Sequence, residues 1–429
     1  MNGLEGKKLL ILSGCGAHCK VVEAAKEMGI HTIVADYYEP SMAAPAKQIA
    51  DEQWMISLLD EEKLIEKCRA EHVDGVLAHW SDLAQLPYWT VCDRLGYPCT
   101  GTKEQFVQMT NKKAFKLLCR KNGVDVIPEY SLEDVEAGRV KFPVFVKPAD
   151  SSSSKGQSIC SNYEELKRAI AFAEEASFSG EILIEHYIAD TNSFQVNYFF
   201  IDGTPYVIRT ADGYKGLVEE KLDRVALCSV SPSVYTRQFM ETANEAFAAM
   251  LKSIGFRNGP VMVQGFYDEG VFRFYDPGLR FPGVDYELIY KNVFGVDLVK
   301  MLITFALTGK VEEDAIRNEN VYLDGKAAAI LFPTLAAGTV SDVSGLESLK
   351  DDPKVLSVQT RYAKGDVVDW TWTTRQRLAE IDLLGDDLAD LKALIRRVQR
   401  RIKVLGTDGE DMMYKPFDVN RLVTTTEDA

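Results

Sequence analysis

A lysine followed by a serine-rich loop is the part of this sequence best suited to bind phosphate. Residues 142–148 read Phe-Pro-Val-Phe-Val-Lys-Pro, and residues 150–156 read Asp-Ser-Ser-Ser-Ser-Lys-Gly. The apolar, β-branched run predicts a strand that carries Lys147 at its end. Because the loop has little side-chain bulk, its N–H groups and hydroxyls can surround phosphate oxygens. The pattern predicts a phosphate-covering hairpin above Lys147, the alternative being a surface hairpin whose serines are only solvated.

The composition is typical of a globular enzyme with more than one domain. The chain has 429 residues, of which 46% are hydrophobic and 26% charged. Its net charge of −15 argues against a nucleic-acid-binding surface, so local cations must hold any anionic ligand. The apolar stretch at residues 9–12 is too short for a signal peptide or a membrane span. We therefore expect a cytoplasmic protein with neither a nucleic-acid nor a membrane partner.

Cysteine and histidine spacing gives no metal signature. The eight cysteines have no regular spacing, which favours reduced thiols. Cys15 and Cys19, with His18 between them, could be a metal pair, but no second pair accompanies them. The pattern favours packing in a loop and at a helix cap. The five histidines are scattered and contain neither an H-E-x-x-H motif nor an obvious triad.

Strands and helices alternate in the N-terminal part of the chain. Strands are predicted at residues 7–12, 30–35 and 73–78, with helices between them. This order predicts an open parallel sheet whose ligands lie beyond the carboxyl ends of its strands. Those ends fall near residues 14–16 and 81–82.

A glycine turn and Asp36 at the end of the second strand also invite a dinucleotide interpretation. However, Cys19 stands where G-x-G-x-x-G requires its third glycine. A Rossmann-like fold that uses the turn for another small ligand explains the pattern at least as well. An oxidoreductase is therefore the weakest interpretation.

The remaining elements predict two hairpins and a C-terminal region of mixed structure. One hairpin turns at residues 202–203, and the other turns at residues 268–270 and pairs Gln264 with Asp276. A long amphipathic helix is predicted at residues 235–254. After residue 312, three strand-like segments at 327–332, 355–361 and 367–373 predict an antiparallel sheet. With a helix at 387–403, they predict a separate α+β domain.

The order of Lys112, Lys147, Glu185, Gln264 and Asp276 resembles that of the ATP-grasp ligase superfamily. The similarity covers residues 7–309, and its nearest branches are carbamoyl-phosphate synthase, biotin carboxylase and L-amino-acid ligase. The fold implied is α/β and α+β. It has a Rossmann-like parallel sheet at 1–105, a two-subdomain ATP-grasp core at 106–312 with its lid at about 124–184, and a small C-terminal α+β domain at 313–429.

The resemblance implies positions for ATP. Lys112 and Lys147 would neutralise its phosphates, a task suited to compact ammonium groups. The implied covering loop is Ser151, Ser152, Ser153, Ser154, Lys155 and Gly156; the implied adenine segment is Glu185, His186, Tyr187 and Ile188; and Asn192 or Ser193 stands where the family often has an acid for the ribose.

The resemblance also implies a metal and a catalytic cation. Gln264 and Asp276 would bind Mg²⁺, or Mn²⁺, through side-chain oxygens. The family pattern Glu-x-Asn-x-Arg reads Asp-Pro-Gly-Leu-Arg at residues 276–280, so Gly278 supplies no oxygen. Arg280 would stabilise the charge that develops on an acyl phosphate and on the tetrahedral intermediate.

The implied function is an ATP- and Mg²⁺-dependent ligase that forms a carbon–nitrogen bond. It would activate a carboxylate as an acyl phosphate for attack by an amine or a thiol, releasing ADP and phosphate. Its partners would be small-molecule carboxylates and amines, with a homodimer as the candidate assembly. The alternatives are a formate- or bicarbonate-activating enzyme and a nucleotide-binding module without turnover. Arg209, Lys215 and Arg224 could hold an anionic substrate or be ordinary surface cations.

Overall fold

The computed structural model describes residues 3–41, 43–150, 156–188, 192–218, 221–311, 316–369 and 374–423. The side chains of residues 192, 217, 218, 221–224 and 374 are not part of the description. Ser151, Ser152, Ser153, Ser154 and Lys155 therefore lie outside the described residues, as do the side chains of Asn192 and Arg224. Among the described helices, none combines the length and the apolar character needed to cross a membrane.

The N-terminal region is a four-stranded parallel sheet with the order β3-β2-β1-β4. Its elements are β1 (Lys8–Leu12), a 3₁₀ helix (Gly16–His18), α1 (Cys19–Glu27), β2 (His31–Ala35), α2 (Pro45–Ile49), β3 (Glu52–Trp54), α3 (Glu61–Glu71), β4 (Gly75–Leu77) and α4 (Gln85–Leu95). The apolar residues of β1 are buried because helices cover both faces of the sheet. The predicted open parallel sheet is confirmed.

A small antiparallel sheet, here called the lid sheet, follows with the order β5-β8-β6-β7. The segment contains α5 (Lys103–Thr110), α6 (Lys112–Lys121), β5 (Glu129–Tyr130), α7 (Leu132–Glu136), β6 (Val144–Pro148), β7 (Ser158–Cys160), α8 (Tyr163–Ala176) and β8 (Ile182–His186). Helix α8 packs on one face of the lid sheet through Leu166, Ala169 and Ala173. The predicted return of the chain from β6 into an antiparallel β7 is confirmed.

Long antiparallel strands form the next segment. It contains β9 (Asn192–Ile201), β10 (Thr204–Val218), β11 (Lys221–Ser231), α9 (Thr236–Thr242), α10 (Asn244–Ser253), β12 (Gly259–Asp268), β13 (Val271–Gly278), α11 (Tyr286–Phe294) and α12 (Leu298–Thr308). Both predicted hairpins are present. The single helix predicted at 235–254 is instead two helices, because Ala243 leaves the helical conformation with φ −124° and ψ −27°.

The C-terminal region contains β14 (Ala327–Leu331), β15 (Gly338–Ser344), β16 (Val355–Thr360), β17 (Val367–Val368), β18 (Ala379–Gly385), α13 (Leu388–Arg401) and β19 (Lys403–Gly406), with 3₁₀ helices at Asn318–Gly325, Glu347–Leu349, Thr374–Gln376 and Val419–Arg421. Strands β14, β18 and β16 extend the preceding strands into one central sheet, ordered β13-β12-β9-β10-β11-β14-β18-β16.

The sequence suggested that the three strand-like segments of this region form one sheet of their own. They do not. Strand β17 pairs with β15, which also pairs with β19, whereas β14 and β16 both pair with β18. The central sheet therefore continues across the predicted domain boundary after residue 312. The three domain boundaries stay predictions.

Candidate functional site

Glu185 joins two buried lysines next to the lid sheet. Its carboxylate lies 2.9 Å from Lys147 Nζ and 2.5 Å from Lys116 Nζ, and none of the three side chains is more than 3% exposed. Lys116 also lies 3.0 Å from Glu129, which pairs with Arg120. Three cations thus share two carboxylates, but the Arg120 side chain is 47% exposed and solvent screens its charge. At Glu185 itself two buried ammonium groups share one buried carboxylate, an arrangement that favours an anionic ligand beside Lys147.

The ionisation of this cluster depends on its internal pairing. Burial lowers the pKa of Lys147 below its ordinary value, although the Glu185 carboxylate opposes this change. Burial alone would raise the pKa of Glu185, but Lys147 and Lys116 hold that pKa below its ordinary value. Glu185 is therefore a carboxylate at neutral pH. An anion near Lys147 would favour the protonated lysine in the same way.

A β-bulge organises the predicted metal residues. Gln264 and Asp276 lie directly opposite each other on β12 and β13, and the next pair is Gly265 with Phe274. Tyr275 is therefore the extra residue of the bulge, and its hydroxyl donates to Gln264 Oε1 at 3.2 Å. The bulge brings two oxygen-bearing side chains and a tyrosine to the end of one hairpin. Carboxylate and amide oxygens suit Mg²⁺.

The hairpin contacts both predicted phosphate lysines. Lys112 Nζ lies 3.2 Å from Asp276 Oδ1, and Lys147 Nζ lies 5.0 Å from the centre of the Tyr275 ring. Helix α6 begins at Lys112 because the Asn111 side chain accepts hydrogen bonds from two N–H groups of its first turn. The Lys112 side chain is 12% exposed, so it faces the cleft between α6 and the hairpin.

Arg280 forms a two-point ion pair with Asp82 at the carboxyl end of the parallel sheet. Arg280 Nη2 donates to Asp82 Oδ2 at 2.7 Å, and Nε donates to Oδ1. The next residue, Phe281, donates its N–H to the His79 carbonyl and stacks on Trp80 at a ring separation of 5.2 Å. Burial alone would lower the pKa of Arg280, but Asp82 raises that pKa above its ordinary value. Arg280 is therefore a permanently charged group held against the N-terminal region.

The structure gives a steric reason for glycine at position 278. A Cβ atom there would lie 3.1 Å from Arg280 Cγ, 3.3 Å from Arg280 Nε and 3.4 Å from Asp82 Oδ1. The arginine and its partner carboxylate thus occupy the space that a side chain at 278 needs. Position 278 therefore offers no side-chain oxygen to a metal, and the Arg280–Asp82 ion pair packs closely against the glycine instead.

Other predicted residues lie at the edge of the same cleft. Gly156 has φ +74°, and a Cβ atom there would lie 2.5 Å from Ala176 Cβ and 2.8 Å from Pro148 Cγ, so only glycine fits. His186 and Tyr187 donate their backbone N–H groups to Pro128 and Pro143. The backbone N–H of Tyr187 is thereby occupied. The remaining predicted positions are the buried Ile188, at the end of the described part of the adenine segment, and Ser193 on β9, which packs against Gly213.

Arg209 is a buried residue of the site. From the sequence alone, it could equally have been an ordinary surface cation. Its side chain is fully buried, and its guanidinium donates to Gln195 at 2.9 Å, Ser229 at 2.7 Å and Ser231 at 3.1 Å. Gln195 lies opposite Gln264 in the central sheet. Burial lowers the pKa of Arg209 to about 10, so it stays charged at neutral pH. The sequence predicted a loop after the strand-like residues 206–208, whereas Arg209 lies within β10; its basic side chain was the only sequence signal for it.

A second buried charge cluster lies between α1, α11 and β18. Lys20 Nζ lies 2.7 Å from Asp285 Oδ1 and 2.9 Å from Glu287 Oε2. Glu380 accepts the Asp285 N–H at 3.0 Å. Burial, followed by the Asp285 charge, raises the pKa of Glu380 to about 7. Both carboxylate oxygens of Asp382 are buried and lack a hydrogen-bond partner within the described part of the chain. No spacing rule in the sequence connects these four acidic residues.

The N-terminal turn uses its acidic residue for its own structure. Asp36 accepts the Gly14 N–H at 2.8 Å and the Tyr38 N–H at 3.0 Å. A Cβ atom at Gly14 would lie 2.8 Å from Ala44 Cβ, so the turn is closely packed. These contacts occupy the carboxylate that a dinucleotide ribose would need. Across the described ranges, no group of three or more His, Cys, Asp or Glu residues is arranged to hold a metal ion.

Two families of ligase domains match the middle and the C-terminal part of the chain. The family model for the D-ala D-ala ligase C-terminus matches residues 109–202, and that for L-amino acid ligase C-terminal domain 2 matches residues 331–405. The 2-oxoglutarate carboxylase small subunit of Hydrogenobacter thermophilus is 26% identical over 320 residues, which cover 70% of this chain and 66% of that protein. The match thus spans just under two thirds of the relative.

Solved structures confirm the fold. The L-amino acid ligase of Bacillus licheniformis is 18% identical with a TM-score of 0.74, covering 94% of this chain and 99% of that chain. The biotin carboxylase domain dimer of the Hydrogenobacter thermophilus 2-oxoglutarate carboxylase, in complex with MgADP, ADP and bicarbonate, is 20% identical with a TM-score of 0.74. That match covers 93% of this chain and 91% of the other. The predicted α/β and α+β class with a two-subdomain core is therefore correct.

Proposed function

From the similarity of the chain to ATP-grasp carboxylate–amine ligases, we propose that it belongs to this superfamily and uses ATP and Mg²⁺ to activate a substrate carboxylate as an acyl phosphate. An amine or a thiol then attacks the acyl phosphate, and ADP and phosphate are released. The observation that carries the proposal is the meeting of Lys112 and Lys147 at the hairpin that bears Gln264 and Asp276.

The lysines bind the phosphate groups of ATP in this proposal. Lys112 is available to phosphate once it separates from Asp276, and Lys147 is held in place by Glu185. The two buried ammonium groups that share Glu185 favour a phosphate anion over water beside Lys147. Gln264 and Asp276 would hold Mg²⁺, which, when bound, neutralises phosphate charge and aligns its oxygens.

Arg280 supplies the fixed positive charge for the reacting carbonyl. A guanidinium locked to Asp82 by two contacts needs little rearrangement as negative charge develops on the acyl phosphate. Because the reaction is phosphoryl transfer followed by acyl transfer to an incoming nucleophile, the protein needs to supply position and charge rather than a nucleophile of its own.

Activation of bicarbonate or formate is the second candidate function. It is favoured by the relative that is named a carboxylase and by the bicarbonate in the solved carboxylase domain. A one-carbon acid would bind to the same Arg280 and need no large side-chain pocket. The two candidate functions differ in which carboxylate is activated and in which amine attacks it.

Two further properties belong to the proposal. The eight cysteines are all free, which fits a reducing cytoplasm. The related carboxylase domain was solved as a dimer, and we propose a homodimer for this chain as well. Sedimentation equilibrium over a hundredfold range of concentration tests the assembly, since a monomer at every concentration would exclude a stable dimer.

A phosphate-release screen over paired carboxylic acids and amines tests the function. Turnover that requires one acid and one amine supports the ligase, and turnover with bicarbonate or formate in place of a larger acid supports the second candidate. Lys147→Ala should abolish the release with either substrate set. Full activity of that variant would overturn the assignment of Lys147, and ATP binding without turnover across the screen would identify a non-catalytic nucleotide-binding module.

A further inference from the structure

Cys15 and His18 form a hydrogen-bonded pair that the proposed ligase reaction does not use. Cys15 Sγ lies 3.1 Å from His18 Nδ1. Cys15 is partly exposed, whereas the imidazole is fully buried. The second ring nitrogen of His18, Nε2, is also buried and has no hydrogen-bond partner in the described part of the protein. The thiol of a partly exposed cysteine thus lies next to a buried imidazole nitrogen.

The surroundings of the pair favour the thiolate. Burial alone would raise the pKa of the Cys15 thiol, but the charge and hydrogen bond of His18, together with the Ser13 hydroxyl and the Ala17 N–H, lower that pKa to about 7. A cysteine whose thiol pKa is lowered by a neighbouring histidine is more reactive than an ordinary one.

The other titratable groups near Cys15 are either uncharged or already paired, so His18 is the neighbour that lowers the pKa of the thiol. Burial, followed by the charges of Glu23 and Cys15, raises the pKa of Cys19 to about 11. Burial lowers the pKa of His79 to about 3. Both therefore stay uncharged near neutral pH. The charge of Lys20 is matched by Asp285 and Glu287.

We propose that Cys15, hydrogen-bonded to the buried His18, is a site of covalent modification by soft electrophiles and peroxides. With an alkyl halide, sulfur forms a bond to carbon as the carbon–halogen bond breaks and halide leaves. With hydrogen peroxide, sulfur attacks one oxygen, the O–O bond breaks and hydroxide leaves. Sulfur is then oxidised by two electrons to a sulfenic acid, while the peroxide is reduced.

The site is connected to the proposed catalytic segment. The His18 ring meets Trp80 edge-on at 5.5 Å, and Trp80 stacks on Phe281, the residue after Arg280. Cys15 also follows β1 at the sheet edge where ligands of open parallel sheets bind. Added bulk on Cys15 should therefore lower the activity of the enzyme as well as block the thiol.

Iodoacetamide labelling followed by peptide mass spectrometry tests the proposal on the full chain. We expect Cys15 to be labelled first, with a rate that rises to a plateau around a midpoint near pH 7. A midpoint near 8.5, the value of an ordinary thiol, would overturn the proposal. So would earlier labelling of Cys99, another partly exposed cysteine. At pH 7 an ordinary thiol is only about 3% thiolate, whereas a midpoint of 7 makes it half thiolate.

Two variants test whether the reactivity of Cys15 depends on His18 or only on the exposure of the thiol. His18→Asn keeps a short polar side chain but cannot carry the positive charge, so the midpoint should rise by about one pH unit or more. An unchanged midpoint in a folded variant would show that His18 is not responsible. Cys99→Ser is the matched control and should leave the labelling of Cys15 unchanged. If His18→Asn does not fold, the wild-type pH profile decides alone.

A peroxide experiment tests the oxidation step. Wild-type protein treated with hydrogen peroxide in the presence of dimedone should carry the adduct on Cys15, and Cys15→Ser should lose it. An adduct that forms first on another cysteine would contradict the proposal.

Discussion

Lys112 Nζ lies 3.2 Å from Asp276 Oδ1, so a predicted phosphate ligand and a predicted metal ligand neutralise each other. The first turn of α6 therefore contacts the end of the β12–β13 hairpin. Because Asp276 can pair with either a lysine or a metal ion, binding of Mg²⁺ with nucleotide would exchange one cation for another. Lys112 would then exchange its contact with Asp276 for one with phosphate.

The exchange predicts that Asp276→Asn weakens nucleotide binding only when Mg²⁺ is present. A neutral amide binds a hard divalent cation less well than a carboxylate does, so we expect the affinity for MgADP to fall about tenfold or more. Titration calorimetry with and without Mg²⁺ measures the difference. Asp268→Asn, at the other end of the same hairpin, is the control and should bind MgADP normally. Equal weakening with and without Mg²⁺ would assign Asp276 a role other than metal binding.

Neighbouring lysines provide a matched test of phosphate binding. Lys113 follows Lys112 but is 53% exposed and pairs with Glu181. A charge-assisted hydrogen bond contributes about 1.5–3 kcal/mol, so Lys112→Ala should weaken ATP binding by roughly tenfold to a hundredfold. Lys113→Ala should change it less than twofold. Similar effects of the two variants on the dissociation constant of ATP would indicate a general charge effect instead of a specific contact.

Two glycines near Arg280 differ in the space around them. A Cβ atom at Gly278 would press on Arg280, whereas one at Gly283 would meet no atom within 4 Å. We expect Gly278→Ala to lower kcat about tenfold by displacing the guanidinium, and Gly283→Ala to leave kcat near the wild-type value. Steady-state phosphate release measures both. If Gly278→Ala kept full activity, the close packing at 278 would not be what positions Arg280.

Glu380 makes stability depend on pH. Burial, then the Asp285 charge, raises its pKa from 4.5 to about 7, so the folded protein binds the proton more tightly than the unfolded chain does. The resulting stabilisation is complete below the unfolded value of about 4.5 and is lost as pH rises through 7; it amounts to about 3 kcal/mol.

The measurement compares wild type with Glu380→Gln. Between pH 5 and pH 8 the thermal midpoint of the wild type should fall by a few degrees relative to that of the variant, because glutamine does not titrate. Substitution of the exposed Glu175 by glutamine is the control. A constant difference between wild type and Glu380→Gln over this range would show that Glu380 does not titrate there.

The sequence by itself determined the local elements and the residues that they carry. The parallel sheet, the strand that carries Lys147, the helix that begins at Lys112 and the two hairpins follow from short-range patterns. Turn residues, helix caps and the spacing of apolar residues act within a few positions of the chain, so they are readable without the fold. The resemblance to ATP-grasp ligases rested on the order of those elements.

Only the tertiary structure decided which charges meet. Arg280 and Asp82 are 198 residues apart in sequence, and the buried partners of Lys147 and Gln264 come from other elements. Arg209 is a second example. The sequence around an arginine in a strand is the same whether its side chain faces solvent or, as here, a buried set of hydroxyl and amide oxygens. A charge is stabilised by the groups that surround it in space, and neighbours along the chain do not specify those groups.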